Sequence, residues 1–156
     1  MGNNYIEQEV KKIVQLEEYP APKNFAMASA WILANLKGIN LKILDLTQKS
    51  SLADYFVLAS ATNLTQASSM ASEIVSQLKK YKVQILSKEG LEGTDWMLID
   101  AGDIIIHIFQ EYSRDIYDLD GLWREAKMVP IPESFYIAAN DQKTEDKPKP
   151  DPEDYF

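Results

Sequence analysis

Residues 95–123 read DWMLIDAGDIIIHIFQEYSRDIYDLDGLW and decide the fold of this chain. An apolar run from Trp96 to Ile99 stops at Asp100-Ala101-Gly102-Asp103, and a second run from Ile104 to Phe109 follows at once. Two short apolar runs separated by an Asp/Gly turn are typical of an antiparallel hairpin, so we predict two paired strands here. A short aromatic helix from Tyr117 to Trp123 is predicted after the hairpin.

The same stretch is acidic and rich in aromatic groups. Acids outnumber its single base, Arg114, and large apolar side chains lie between the acids. An acidic rim around apolar anchors is the composition of a surface that binds a basic protein. An ordinary amphipathic edge has the same composition, so both interpretations stand at this point. The acids are Asp95, Asp100, Asp103, Glu111, Asp115, Asp118 and Asp120, and the anchors are Trp96, Tyr112, Tyr117, Leu119 and Trp123.

The composition of the whole chain restricts its class. With 156 residues and a hydrophobic fraction of 46%, the chain is expected to form one globular domain with tails. The net charge of −8 counts against a protein that grips phosphate backbones. The lack of cysteine excludes disulfides, thiolate nucleophiles and Cys-based zinc sites. No apolar run approaches the roughly 20 residues of a membrane span, and the start does not resemble a signal peptide, so a cytoplasmic protein is expected.

Proline divides the chain into three parts. Residues 1–23 are predicted to be an N-terminal appendage helix and its linker, because apolar side chains from Tyr5 to Glu18 recur at helical spacing and prolines follow. Residues 24–127 are predicted to be the domain. Residues 128–156 form a Pro-rich acidic tail that we expect to be disordered.

Alternating helix and strand patterns predict an α/β (α+β) fold. Residues from Phe25 to Lys37 have the apolar spacing of a helix, with Asn24 as its N-cap and Gly38 as its C-cap glycine. A long helix is predicted from Leu64 to Tyr81. Together with the strands, these helices predict a mixed sheet of about five strands flanked by helices. The predicted strands are residues 41–46, 54–60, 83–86, 96–99 and 104–109.

Paired carboxylates are the main enzymatic signal in the sequence. Asp118-x-Asp120 and Asp100-x-x-Asp103 have spacings that suit a divalent metal such as magnesium. A nucleotidyltransferase would add a Gly-Ser phosphate-binding turn, but the strand-to-helix junction Ala61-Thr62-Asn63 has no glycine. Loose acidic pairs are common on protein surfaces, so a structural role is favoured and no metal or cofactor is predicted.

His107 is the only histidine, and it lies within the second strand of the hairpin. A lone histidine lacks the partners for a zinc site or a Ser-His-Asp arrangement. By strand alternation it shares a face of the sheet with Ile105 and Phe109. A histidine that is hydrogen-bonded within the fold is favoured over catalysis, and a half-exposed histidine in a contact surface is a third interpretation.

The hairpin and the segment after it carry a long motif, D-W-x5-G-D-x3-H-x6-R-x2-Y-x-L-x2-L-W, from Asp95 to Trp123. Together with Lys49-Ser50-Ser51-x-x-Asp54-Tyr55-Phe56 and Glu89-Gly90, this motif resembles the Iojap family, the ribosomal silencing factors (RsfS). The resemblance covers about Asn24 to Lys127. Where relatives usually read Gly-Thr-Ser and then an arginine, this chain reads Ala61-Thr62-Asn63 and then Thr65.

The resemblance implies a non-enzymatic function. It implies a factor that binds the large ribosomal subunit through its fourteenth ribosomal protein, at the subunit-joining face, and keeps the small subunit off. It also implies a fold similar to that of nucleotidyltransferases, without their catalytic groups. A role in large-subunit maturation is attributed to relatives, chiefly organellar ones. An assembly factor is therefore the first alternative, and a metal-dependent nucleotidyltransferase is a weaker one.

We therefore predict a partner-binding surface, with no catalytic residue and no metal site. Aromatic anchors are expected to supply most of the affinity, and acids the orientation and the association rate. The expected partner is the large ribosomal subunit, with little direct nucleic-acid contact and no membrane contact, and a homodimer is left open. The predicted contact or contact-supporting residues are Trp96, Asp100, Asp103, His107, Tyr117, Asp118, Leu119 and Trp123.

Overall fold

A computed structural model describes residues 4–90 and 94–136 of the chain. In these ranges the helices are α1 (Asn4–Val14), α2 (Lys23–Asn35), α3 (Leu64–Lys80), α4 (Arg114–Tyr117) and α5 (Leu119–Leu122). The strands are β1 (Ile39–Asp45), β2 (Tyr55–Ala61), β3 (Ser87–Glu89), β4 (Trp96–Asp100), β5 (Ile104–Gln110) and β6 (Lys127–Met128).

The strands of the described residues form one six-stranded mixed sheet in the order β3-β4-β5-β2-β1-β6. Strands β2 and β5 are parallel, whereas the other neighbours are antiparallel. The predicted mixed sheet flanked by helices is confirmed, with β6 added to the expected strands. The similarity of this fold to that of nucleotidyltransferases stays a prediction.

The predicted strand at residues 83–86 is wrong, because the ladder begins at Ser87. Val83 and Ile85 pack against the core from a segment outside the ladder. The Leu86 N–H donates to the carbonyl of Asp100 at 2.7 Å, and regular pairing with β4 starts at the next residue. The apolar pattern of this segment thus reflects packing rather than strand pairing.

The hairpin β4–β5 is formed as predicted, and β5 divides the core into two clusters. Ile104, Ile106 and Ile108 belong to the larger cluster, which includes residues of α1, α2 and α3. Ile105 and Phe109 point to the other face, into a smaller cluster that includes Leu119 of α5. Every residue of β2 and β5 is buried, as expected for central strands covered on both faces.

Helix α1 packs onto the domain as part of its core, and the predicted appendage is wrong in this respect. Ile6, Val10 and Ile13 are buried in the larger cluster. Asn24, predicted as the N-cap of α2, instead lies inside α2, whose N-cap is Pro22. The Asn24 side-chain amide donates to the carbonyl of Val14 at 3.2 Å and so satisfies the end of α1. The division of the chain at residue 23 stays a prediction.

The helix ends use cap residues that the sequence identifies in part. Asn63 caps α3 and accepts a hydrogen bond from the Gln66 N–H at 2.8 Å. Lys37, rather than Gly38, adopts the left-handed conformation after α2, with φ of 69°. Gly38 is needed for another reason, because a Cβ there would lie 2.9 Å from the carbonyl oxygen of Leu33.

The start of the predicted tail is ordered, so the disorder expected over residues 128–156 is wrong for residues 128–136. Met128 pairs with Leu44 in the sheet, and the Val129 N–H donates to the Ile43 carbonyl at 2.8 Å. Phe135 is buried in the larger cluster. The Pro-rich stretch from Lys147 to Pro152 lies outside the described residues. Among those that are described, no helix has the length and apolar character to cross a membrane.

Candidate protein-docking site

One face of the hairpin carries Trp96 and His107 of the predicted site. Strand pairing places Leu98 opposite His107 and Trp96 opposite Phe109, and side chains on alternate strand positions share a face. On the outer side, Glu89 of β3 pairs with Leu98. A row of side chains therefore runs across β3, β4 and β5, from Glu89 through Leu98 to His107.

The rings on this face form an aromatic cluster with a buried layer and a surface layer. Trp96 stacks on Phe109 with centroids 5.0 Å apart, and Tyr117 lies 5.0 Å from Trp96. Phe56 packs against His107 at 4.6 Å and edge-on against Trp123 at 5.7 Å. The buried layer comprises Phe56, His107 and Phe109, and the surface layer comprises the half-buried Trp96 and Trp123 and the exposed Tyr117.

His107 is hydrogen-bonded within the fold, which confirms the favoured interpretation of this residue. The Trp96 Nε1–H donates to His107 Nδ1 at 3.1 Å, and the imidazole is only 3% exposed. Because an indole N–H can only donate, Nδ1 must carry a lone pair and the proton of the neutral ring lies on Nε2. Burial, together with the nearby Arg114 cation, lowers the pKa of His107 to about 3. His107 is therefore neutral at pH 7 and supports the surface from below.

Arg114 holds the segment after the hairpin onto the sheet, a role that was not predicted from the sequence. Its guanidinium makes a two-point contact with Asp120, at 2.7 and 3.0 Å. It also donates to the Ser60 hydroxyl and to the Asn40 carbonyl, both at 2.9 Å. Hydrogen bonds from Arg114, and then from Lys42, hold the pKa of Asp120 well below its usual range.

Asp118 separates α4 from α5 and caps the second of them. Its backbone is left-handed, with φ of 49°, and its carboxylate accepts from the Gly121 N–H at 3.1 Å. A Cβ at residue 121 would overlap this carboxylate, so a larger residue there would displace the Asp118 side chain from its capping position. The predicted continuous helix from Tyr117 to Trp123 is therefore two short helices with a break at Asp118.

Three of the four acids in the pairs that suggested a metal have structural partners. Asp120 is bound by Arg114 and Lys42, and Asp118 by the Gly121 N–H. Asp100 accepts from the Gly102 N–H at 2.9 Å within the hairpin turn. In residues 4–90 and 94–136, no three His, Asp or Glu side chains are grouped in a way that would hold a metal ion.

Asp100 and Asp103 lie away from the aromatic cluster. Asp100 is four residues along β4 from Trp96, which corresponds to roughly 13 Å of extended strand. Asp103 is exposed in the turn and lines a separate cleft with Pro22 and Phe25. The structure thus groups Trp96, His107, Tyr117, Leu119 and Trp123, but it does not bring these two acids to them. Their role in binding stays a prediction.

Three further apolar side chains of the segment after the hairpin are exposed, and of these only Tyr112 was among the anchors taken from the sequence. Ile116 and Leu122 are each 74% exposed, and Tyr112 is 65% exposed while its hydroxyl donates to the Asp95 carboxylate. Only the structure reveals this exposure, because the sequence pattern of the segment fits a buried helix face equally well. We call the docking surface the set Trp96, Tyr112, Ile116, Tyr117, Leu122 and Trp123.

A cleft beside the docking surface is acidic. Glu89, Thr94, Asp95, Trp96, Leu98 and Tyr117 line it, and it has a volume of about 340 Å³. Its charged lining residues are two carboxylates, which lie next to two aromatic rings. The fold and this surface together define a mixed α/β domain with an acidic, aromatic face suited to a basic protein partner.

Comparison with known proteins identifies the family. Residues 20–154 match the family model described as "Ribosomal silencing factor during starvation", RsfS. This match covers most of the chain, so the protein belongs to the RsfS family, which confirms the resemblance to the Iojap family. Members of this family are named as regulatory silencing factors.

Individual relatives agree with this assignment. A ribosomal silencing factor RsfS of Zymomonas mobilis is 38% identical over 87 residues, which is 56% of this chain and 65% of that protein. The RsfS of Haemophilus influenzae is 34% identical over 91 residues, 58% of this chain and 89% of the relative. "Mitochondrial assembly of ribosomal large subunit protein 1" of mouse is 27% identical, over 56% of this chain and 44% of that protein.

A solved structure shares the fold. A crystal structure of a protein from Chromobacterium violaceum superposes with a TM-score of 0.60 and 28% identity, over 75% of this chain and 85% of that one.

Proposed function

We propose that this protein binds the large ribosomal subunit at its fourteenth ribosomal protein and sterically blocks joining of the small subunit. It thereby represses translation, and it does so in the cytoplasm, where these subunits are. The observation that carries the proposal is that one cleft is lined both by the rings of Trp96 and Tyr117 and by the carboxylates of Glu89 and Asp95. Membership of the ribosomal silencing factor family supports the choice of partner.

Charge explains why a ribosomal protein, rather than ribosomal RNA, would be the direct partner. Ribosomal proteins are basic where they lie on RNA, so an acidic surface is attracted to them and repelled by exposed phosphates. The net charge of −8 acts in the same direction over the whole molecule. Acids around the site therefore raise the association rate and orient the encounter.

Aromatic and apolar groups supply the affinity in this proposal. Tyr117 is 48% exposed and lies against Trp96, so its ring offers a rigid contact with little side-chain entropy to lose. Ile116 and Leu122 add apolar area that water covers in the free protein. A blocking protein needs no turnover, only a bound body that occupies the space of the small subunit.

Sedimentation tests the proposal directly. Purified protein is mixed with large subunits, or with both subunits at a magnesium concentration that favours joining, and is separated on a sucrose gradient. The protein is expected to travel with free large subunits and to lower the yield of joined ribosomes. Migration at the top of the gradient at micromolar concentration contradicts the proposal.

Two matched leucine substitutions locate the contact. Leu122→Glu places a charge on the docking surface, whereas Leu86→Glu places one at a comparably exposed leucine, 58%, in the cleft that includes Phe25. Leu122→Glu is expected to weaken binding to large subunits about tenfold or more, and Leu86→Glu to leave it unchanged. Equal effects of the two variants contradict the location of the site.

A role in assembly of the large subunit is the second candidate. The name of the mouse mitochondrial relative favours it, because that protein is named for assembly of the ribosomal large subunit. Binding to mature large subunits and to precursor particles, measured side by side, separates the two functions. Preference for precursors by tenfold or more favours assembly, whereas tight binding to mature subunits favours silencing.

A further inference from the structure

His107 lies directly beneath the docking surface without reaching it. The imidazole is 3% exposed and faces Leu98 on β4 and Leu58 on β2 across the sheet. Rings of Phe56, Trp96 and Phe109 lie within 6.4 Å of its centroid. A residue in this position acts on a partner only through the side chains above it.

Burial of the imidazole also costs free energy, because one of its polar groups has no partner among the described residues. Within the described residues, Nε2 is buried and has no hydrogen-bond partner. An apolar side chain of similar volume would avoid this unsatisfied N–H. The other ring nitrogen, Nδ1, makes one polar contact, with the Trp96 indole N–H at 3.1 Å.

This hydrogen bond fixes which edge of the asymmetric Trp96 indole is turned toward His107. The χ2 torsion of an aromatic side chain has two broad wells, and a turn of about 180° would carry the Trp96 N–H away from Nδ1. Trp96 is half-buried between Phe109 and Tyr117, both with centroids at 5.0 Å. The orientation of the indole therefore decides which edge meets the surface beside Tyr117.

We propose that His107 is a positioning residue, whose Nδ1 accepts the Trp96 indole N–H and holds Trp96 in the orientation that the partner binds. This inference rests on the proposed function for its partner, while the orientation of Trp96 is measured without any ribosome. If the bond is lost and the competent orientation falls to between about a half and a fifth of the population, the apparent affinity falls in proportion to that fraction. We expect a loss of about two- to fivefold.

Two substitutions with equal numbers of side-chain heavy atoms separate positioning from packing. His107→Asn keeps an acceptor oxygen near the position of Nδ1, whereas His107→Leu has a methyl group there and fills more of the volume of the imidazole. Packing alone predicts that the leucine variant, which buries no polar group, is the more stable and binds at least as well. Positioning predicts the reverse order of binding, with asparagine close to wild type and leucine two- to fivefold weaker.

The decisive measurements are nuclear magnetic resonance spectra and sedimentation binding to large subunits. In the wild-type protein, a nitrogen–nitrogen coupling across the hydrogen bond is expected between Trp96 Nε1 and His107 Nδ1. The indole N–H signal of Trp96, assigned with Trp96→Phe, should keep its shift in His107→Asn and lose it in His107→Leu. The signals of Trp31 and Trp123 are internal controls.

The outcomes are separable from those of the proposed function. Failure of wild-type protein to bind large subunits overturns the silencing proposal, and the indole signal still reports whether His107 orients Trp96. Absence of the coupling in the wild type overturns the positioning inference even if both variants fail to fold. Equal binding by folded His107→Asn and His107→Leu overturns it as well.

Discussion

Replacement of Arg114 by methionine should destabilise the domain strongly. Methionine can pack in the same space, but it cannot donate the hydrogen bonds that Arg114 makes. Arg114 is 5% exposed and binds Asp120, the Ser60 hydroxyl and the Asn40 carbonyl. Methionine fills much of the same volume but leaves Ser60, which is fully buried, without this donor.

The magnitude follows from what is left unpaired. Removal of one partner of a buried ion pair costs about 3–5 kcal/mol. Asp120 keeps 23% of its side chain exposed and retains Lys42 at 2.8 Å, so its carboxylate is not left without a counter-charge. The lower end of the range, about 3 kcal/mol, is therefore expected. With a urea dependence of about 2 kcal/mol per molar, the midpoint of unfolding should fall by roughly 1.5 M.

Urea titration followed by circular dichroism measures this change, with Arg124→Met as the matched control. Arg124 is exposed, so its replacement should change the free energy of unfolding by less than about 0.5 kcal/mol. A midpoint for Arg114→Met within about 0.25 M of wild type would refute this account of Arg114.

Three further predictions concern single side chains. Burial and the Arg114 cation lower the pKa of His107 to about 3. Between about pH 6.5 and about pH 3, the His107 imidazole is therefore protonated in the unfolded state but not in the folded state. Wild-type stability should then fall by about 1.4 kcal/mol per pH unit from this group as the pH drops, and His107→Leu should lack that share of the slope; an unchanged slope contradicts it. Lys37→Gly relieves a left-handed backbone and should raise the free energy of unfolding by about 0.5–1 kcal/mol in urea titrations, where a decrease counts against the strain argument. Asp118→Asn keeps the cap and tolerates the left-handed conformation, so it should slow association with large subunits at low salt without unfolding the protein; a rate equal to wild type shows that this charge does not steer binding.

The parts of the fold that follow from short-range pattern could be predicted from the sequence. Alternation in Ile104 to Phe109 assigns each side chain to its face of the sheet, and the Asp/Gly turn fixes the hairpin. The strand at residues 83–86 was misplaced because an apolar segment that packs outside the ladder has the same composition as a strand. The coverage of the core by α1 was missed because its buried stripe does not show which element it packs against.

The site was less predictable than the fold, because its geometry depends on contacts distant in sequence. Arg114 reaches Ser60 and Asn40, which are 54 and 74 residues away, and no local spacing encodes such partners. Trp96, Tyr117 and Trp123 were selected for their residue type; Trp96 lies against Tyr117, and both tryptophans pack against the smaller cluster. Ile116 and Leu122 were not selected, since only the structure shows that both are exposed.

The shape of the docking surface is set by side chains that do not belong to it. Helices α4 and α5 have four residues each, far too short to be stable alone, so their positions must come from tertiary contacts. Arg114 fixes the first helix to β2 and to Asn40 of β1, and the buried Leu119 fixes the second to the smaller cluster. The left-handed turn at Asp118 joins them, so that Tyr117 faces solvent while Leu119, two residues later, faces the core. Substitution of Arg114 is therefore expected to move the exposed rings of this surface without removing any of them.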